Sequence, residues 1–180
     1  MIHKTERLIL RPWTEDDAEE LYRYAKDPKV GPAAGWPTHT SIDDSREIIK
    51  NVFSADEMYA VVLKSTDKPV GSIGFLMGSN SNLGTLPADE CEIGYWLGVP
   101  YWGQGLIPEA SMVLLDYAFN KLGINKVWCA YFEDNNQSKR VQEKCGFQYQ
   151  YTRKDAPVSL LGETRTELVS SLTKEEWERR

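Results

Sequence analysis

Only three cysteines and two histidines occur in the 180 residues, and their placement removes several classes of chemistry. Cys91, Cys129 and Cys145 are widely spaced and form no Cys-x-x-Cys, and only His3 and His39 could join them as ligands. Neither a disulfide framework nor a zinc site is expected. The thiols read as reduced, buried, small apolar fillers. No apolar run approaches the roughly 20 residues of a membrane helix, and there is no internal repeat or low-complexity stretch. The opening M-I-H-K-T-E-R-L is too polar for a secretory leader, so a cytoplasmic location is expected. Cations are also short, with 21 Lys and Arg against 27 Asp and Glu, a net charge of −6. That balance disfavours general nucleic-acid binding and mildly favours a cationic partner. Neither G-x-G-x-x-G nor G-x-x-x-x-G-K-[ST] is present, which leaves little for a dinucleotide or P-loop reading.

Composition and length fit one domain, residues 1–180, with a sizeable core. Strand and helix signals alternate. Arg7–Arg11 reads as a strand stopped by Pro12, and the run from Thr14 to Pro28 as a helix with a capping residue, early acids and an apolar face of Ala18, Leu21, Tyr22 and Ala25. Val30–Thr40, rich in Gly, Pro and small residues, reads as a loop before a helix opening at Ser41 or Asp43. Tyr59–Lys64 and Val70–Met77 form a hairpin, and Cys91–Leu97 is the next strand. A helix opening at Pro108 and Glu109 ends at Gly123. Lys126–Phe132 is a buried strand, Asn135 or Asn136 caps a helix closed by Gly146, and Phe147–Thr152 and Arg165–Leu172 are the last strands.

Glu92–Ala110, E-I-G-Y-W-L-G-V-P-Y-W-G-Q-G-L-I-P-E-A, is the most informative stretch. It takes a strand into a turn containing Gly103 and Gly105 and then into a helix. Free backbone N–H groups and the positive end of the helix dipole converge there, which makes an anion site. The expected anion is a phosphate.

T-E-R-L-I-L-R-P at the start, E-I-G-Y-W-L before the turn, Y-W-G-Q-G-L-I-P-E-A across it and S-K-R-V-Q-E-K-C-G-F near the end occur in that order, and the chain thereby resembles the GNAT acetyltransferase superfamily over Thr5 to Trp177. Within it, the chain is similar to the subgroup related to ribosomal-protein N-terminal acetyltransferases. The resemblance implies an α/β (α+β) fold: one domain with a central mixed, mostly antiparallel sheet splayed in the middle and helices on both faces. It implies acetyl-CoA as cosubstrate, no metal, and direct transfer to a primary amine of a small molecule or a peptide through a ternary complex. No nucleic-acid or membrane partner is implied, and the protein is expected as a monomer or homodimer.

The resemblance also assigns residues. The family's Gln/Arg-x-x-Gly-x-Gly/Ala motif, laid on Trp102, Gly103, Gln104, Gly105, Leu106 and Ile107, matches cleanly only at Gly105; backbone amides there would hold the pyrophosphate. Leu97 and Gly98 would pair with pantetheine, and the Trp96 N–H would face the thioester oxygen as an oxyanion donor. Glu92 stands where some members carry a glutamate base, with Glu133 and Asp134 behind it. The tyrosine that many members place four residues before Gly-Phe is Gln142 here. Ser138 therefore becomes the expected donor to the departing thiolate, and Asn135 both a helix cap and a coenzyme contact. Lys139, Arg140 and Lys144 could meet outer phosphates. Trp36 and His39 could wall the acceptor or anchor their loop, and Asp89 and Glu90 could attract an amine. Gln142 and Ile107 motivate an alternative, a non-catalytic acyl-CoA-binding or regulatory module.

Overall fold

A computed structural model describes Met1–Arg180. The elements run β1 (His3–Lys4), β2 (Leu8–Arg11), α1 (Ala18–Ala25), α2 (Gly31–Ala34), α3 (Ile42–Ile48), β3 (Met58–Leu63), β4 (Lys68–Met77), β5 (Glu90–Leu97), α4 (Leu106–Asn120), β6 (Lys126–Phe132), α5 (Asn136–Cys145), β7 (Gln148–Val158), β8 (Glu163–Thr173) and α6 (Lys174–Glu178). One sheet takes all eight strands in the order β1-β2-β3-β4-β5-β6-β8-β7. Every neighbouring pair is antiparallel except β5 and β6.

Alternating side chains of the strands feed two cores, one on each face. Cys91 and Ile93 of β5 join the larger, with Ala110, Leu114 and Ala118 of α4. Trp96 of the same strand joins the smaller, with Ala18, Leu21 and Ala25 of α1. The α4 sequence L-I-P-E-A-S-M-V-L-L-D-Y-A-F-N is apolar almost all round because sheet and neighbouring helices cover most of it; Leu114 and Leu115 are fully buried. Truncating either to Ala would cost about 2–5 kcal/mol.

The two middle strands splay. The β5–β6 ladder holds only at Glu90↔Lys126, Cys91↔Val127 and Glu92↔Trp128. Beyond Glu92, β5 stays paired with β4 as far as Leu97, while β6 stays paired with β8 as far as Phe132. Each strand keeps its outer partner, and the gap opens between them.

Several boundaries differ from the sequence reading. Helix α4 starts at Leu106, two residues before Pro108, because Gly105 takes the cap position at φ 76°. A four-residue helix, α2, interrupts the expected loop where Gly31-Pro32 sets a helical start and Gly35 a left-handed end. Strand β7 runs on to Val158, past a bulge between Arg153 and Ala156 where Asp155 has φ 53°. It is the sheet's edge, so Pro157 costs it no ladder bond on the open side. Helix α6, unanticipated, is opened by a reciprocal cap between Thr173 and Glu176.

Candidate active site

The gap between β5 and β6 is the floor of a cleft of about 1310 Å³. One end is built from backbone. The amides of Gly103, Gln104, Gly105, Leu106 and Ile107 donate to no protein group, whereas the next usable one, Glu109 N–H, bonds the Gly105 carbonyl at 3.1 Å. Five consecutive free donors at the start of a 15-residue helix make a nest for an anion. Gly103 and Gly105 both have positive φ, 74° and 76°. Both glycines of the Gly103-Gln104-Gly105 turn thus occupy the left-handed region, Gly105 at the motif position where the resemblance places a glycine. Ile107 lies inside the helix with its side chain 4% exposed in the core, away from the nest. The Gln104 side chain turns back to donate to the Pro100 carbonyl at 3.0 Å.

Ionic contacts brace the nest. Arg7 donates to the Gln104 carbonyl at 3.0 Å and to Glu109 at 2.7 Å, and Thr5 also donates to Glu109. Burial pushes the Glu109 carboxyl up, but the bonds from Thr5 and Arg7 outweigh it and hold it below the usual range. Nothing in the sequence reading singled out Arg7 for this site. Arg140 and Lys144 line the cleft; Lys139 does not, and lies 4.0 Å from Glu143.

Along β5 the ladder decides which amides face the gap. Gly98 N–H bonds the Val70 carbonyl at 2.8 Å. Antiparallel pairing alternates, so with Ser72↔Trp96 and Gly71↔Leu97 in register, the Trp96 main chain also faces β4. The groups turned to the gap are those of Tyr95 and Leu97. Trp96 and Gly98 are thus displaced from the main-chain roles expected of them. Gly98 has another task, because a side chain there would strike the Tyr24 ring at 2.6 Å. The Leu97 carbonyl accepts from the Trp102 indole at 2.7 Å, which ties the turn to the strand end and leaves the Leu97 N–H facing the gap.

Helix α5 approaches from the far wall. Asn135 caps it by accepting from the Ser138 N–H at 3.1 Å. The Ser138 hydroxyl meets the Tyr95 hydroxyl at 2.8 Å, and burial raises that phenol, so it stays protonated. A tyrosine thus reaches Ser138 from β5, although the usual helical position holds Gln142. Gln142 is 2% exposed, and its amide group has no partner.

The other end is built from side chains. Glu92 is buried and accepts at Oε2 from the Ser81 hydroxyl at 2.8 Å and the Asn82 N–H at 2.7 Å. Glu167 of β8 and Arg153 of β7 line the same space; neither was anticipated, since β7 was expected to stop at Thr152 and nothing in the strand Arg165–Leu172 marked Glu167 as facing a cleft. Asp134 also lines it, while Glu133, Asp89 and Glu90 do not. Trp36 and His39 are loop anchors outside the cleft: Trp36 packs edge-on to Trp96 at 5.8 Å, and His39 bonds Ser45 at 2.8 Å. Their neighbours Pro32, Ala33 and Gly35 form the wall instead.

A splayed parallel pair beside a helix-borne nest of free amides offers room and donors for an extended, anion-bearing chain. Residues 7–148 match the model of the acetyltransferase (GNAT) domain, and the chain belongs to the GNAT acetyltransferases. It is similar to an uncharacterized N-acetyltransferase, p20, of Bacillus licheniformis, 32% identical over 149 residues and 80% of each chain. Its fold is similar to an acetyltransferase (GNAT family) from Bacillus anthracis, with TM-score 0.84 and 24% identity over 98% of this chain and 100% of that one. It is also similar to ribosomal-protein-S5-alanine acetyltransferase from Vibrio fischeri, with TM-score 0.76 and 20% identity over 98% of both.

Proposed function

We propose that the protein moves an acetyl group from acetyl-CoA directly to a primary amine, of a small molecule or a protein N-terminus, in a ternary complex without a covalent enzyme intermediate. The observation that carries this is the alignment of five partnerless amides at Gly103–Ile107 with the unpaired edge of β5 in one cleft. Unpaired buried backbone costs free energy unless a ligand bonds it. Pyrophosphate oxygens suit the nest, and the amide-bearing pantetheine arm suits the strand edge at Tyr95 and Leu97. One of those two N–H groups takes the oxyanion role expected of Trp96.

Glu92 faces the incoming amine, which must shed a proton before it can attack. Ser138, backed by the Tyr95 hydroxyl, donates to the leaving sulfur. The three free cysteines suit a reducing cytoplasm. Calorimetric titration with CoA, then thiol release with acetyl-CoA and a panel of peptides, polyamines and amino sugars, tests the reading. Partnerless Gln142 favours the second reading, a non-catalytic acyl-CoA-binding module. Tight CoA binding without thiol release on the whole panel would support that module and contradict acetyl transfer.

A further inference from the structure

Two carboxylates, from strands separated by β6, face the acceptor end of the cleft: Glu92 of β5 and Glu167 of β8. Their surroundings differ. Glu92 is held by Ser81 and the Asn82 backbone. Glu167 has one charged partner, Arg153 of β7 at 3.5 Å, and that guanidinium also donates to the Asn82 carbonyl at 3.0 Å. Arg153 thereby ties Glu167 to the segment that holds Glu92. From β6 the ladder partner of Glu167 is Phe132, which carries no charge. Arg165, two residues along β8, is engaged by Glu163, the Pro32 carbonyl and the Phe132 ring. Burial, and then the charge of Glu92, raise the Glu167 carboxyl above its ordinary value against the pull of Arg153. Trp96 lies on the same face of β5 as Glu92. It lines the cleft at 7% exposure, and its indole N–H has no partner.

We propose that the base is the Glu92–Glu167 pair, in which Glu92 holds the acceptor ammonium and Glu167 takes its proton. This rests on the acetyl-transfer reading. One ammonium N–H bond breaks, its electron pair stays on nitrogen, and the proton passes to Glu167 and then to solvent. The freed pair forms the C–N bond at the acetyl carbon, and the C–S bond breaks with its electrons on sulfur. The second nitrogen proton reaches that sulfur by way of the Ser138 and Tyr95 hydroxyls. A carboxyl raised toward the working pH is the better proton acceptor of the two.

The pH dependence of kcat/KM decides the matter, measured at saturating acetyl-CoA with whichever panel amine releases thiol fastest, for the native protein, Glu167→Gln and Glu167→Asp. Glu167→Gln is expected to lower kcat/KM near pH 7 by about tenfold or more and to move the acidic limb to lower pH, because the raised Glu167 carboxyl that sets it is gone. Glu167→Asp should keep the limb. Carbon NMR of glutamate-labelled, coenzyme-free protein should show one carboxyl titrating above the ordinary range and missing from Glu167→Gln. A profile scaled down with its limb unmoved, or Glu167 titrating as an ordinary glutamate, would overturn the pair. Native protein that binds CoA yet releases no thiol with any amine would contradict the acetyl-transfer reading itself, and the native control separates that failure from the variant's.

Discussion

The two ends of the cleft are built from different materials. At the end proposed for the coenzyme the groups on offer are main-chain amides: Gly103–Ile107 at the turn, Tyr95 and Leu97 on the strand. At the end proposed for the acceptor they are side chains, with Glu92, Arg153 and Glu167 drawn from three strands. Amides are supplied by every residue but proline, so the first end depends on backbone shape and tolerates change in side chains. The second depends on identity.

This contrast can be broken by substitution. The largest effect is expected at the acceptor end, where Glu92→Gln removes the holder of the acceptor ammonium and should lower kcat/KM near neutral pH by about 100-fold while calorimetry finds CoA affinity unchanged. At the coenzyme end, Gly105→Val forces a β-branched residue into φ 76°, a conformation costing about 1–2 kcal/mol. It turns the nest amides as well, and CoA affinity should fall by about tenfold or more. Ile107→Ala sharpens the point from the other side: thermal unfolding should report a loss of about 2–5 kcal/mol for the buried side chain, with CoA affinity held within about twofold because its amide remains. The smallest effect belongs to Glu109→Gln. The Glu109 carboxyl is held below its ordinary value, so its contribution is present above the unfolded-state value and lost as pH falls through the folded one. The melting-temperature gap between native protein and Glu109→Gln should be widest near neutral pH and close on acidification. A constant gap would contradict the ionic role of Glu109 in bracing the turn.

The same contrast explains what was legible in the sequence. A glycine turn between an apolar strand and an apolar helix has a strong local signature, and the nest follows from it. Lys126–Phe132 and the Gly146 cap were equally plain. Ladder parity was not, because it depends on the register of β5 against β4; Trp96, Leu97 and Gly98 were chosen, whereas Tyr95 and Leu97 face the gap. The stretch T-R-K-D-A-P-V carries a proline and a charge run, which read as loop. It forms an edge strand only because β8 pairs with it, so Arg153 stayed hidden; Glu167, inside the expected strand Arg165–Leu172, was missed because only its place in the sheet brings it to the cleft. Tyr95 beside Ser138 is likewise a contact across 43 residues, which no local pattern announces.

Residue-resolved amide hydrogen exchange, with and without CoA, reads the backbone cradle itself. Trp96 and Gly98 should be protected in the free protein through their bonds to β4. Tyr95, Leu97 and the amides of Gly103–Ile107 should exchange freely until CoA is added and then become protected. Protection appearing at Trp96 and Gly98 instead, or no change along β5 and the turn at saturating CoA, would contradict it.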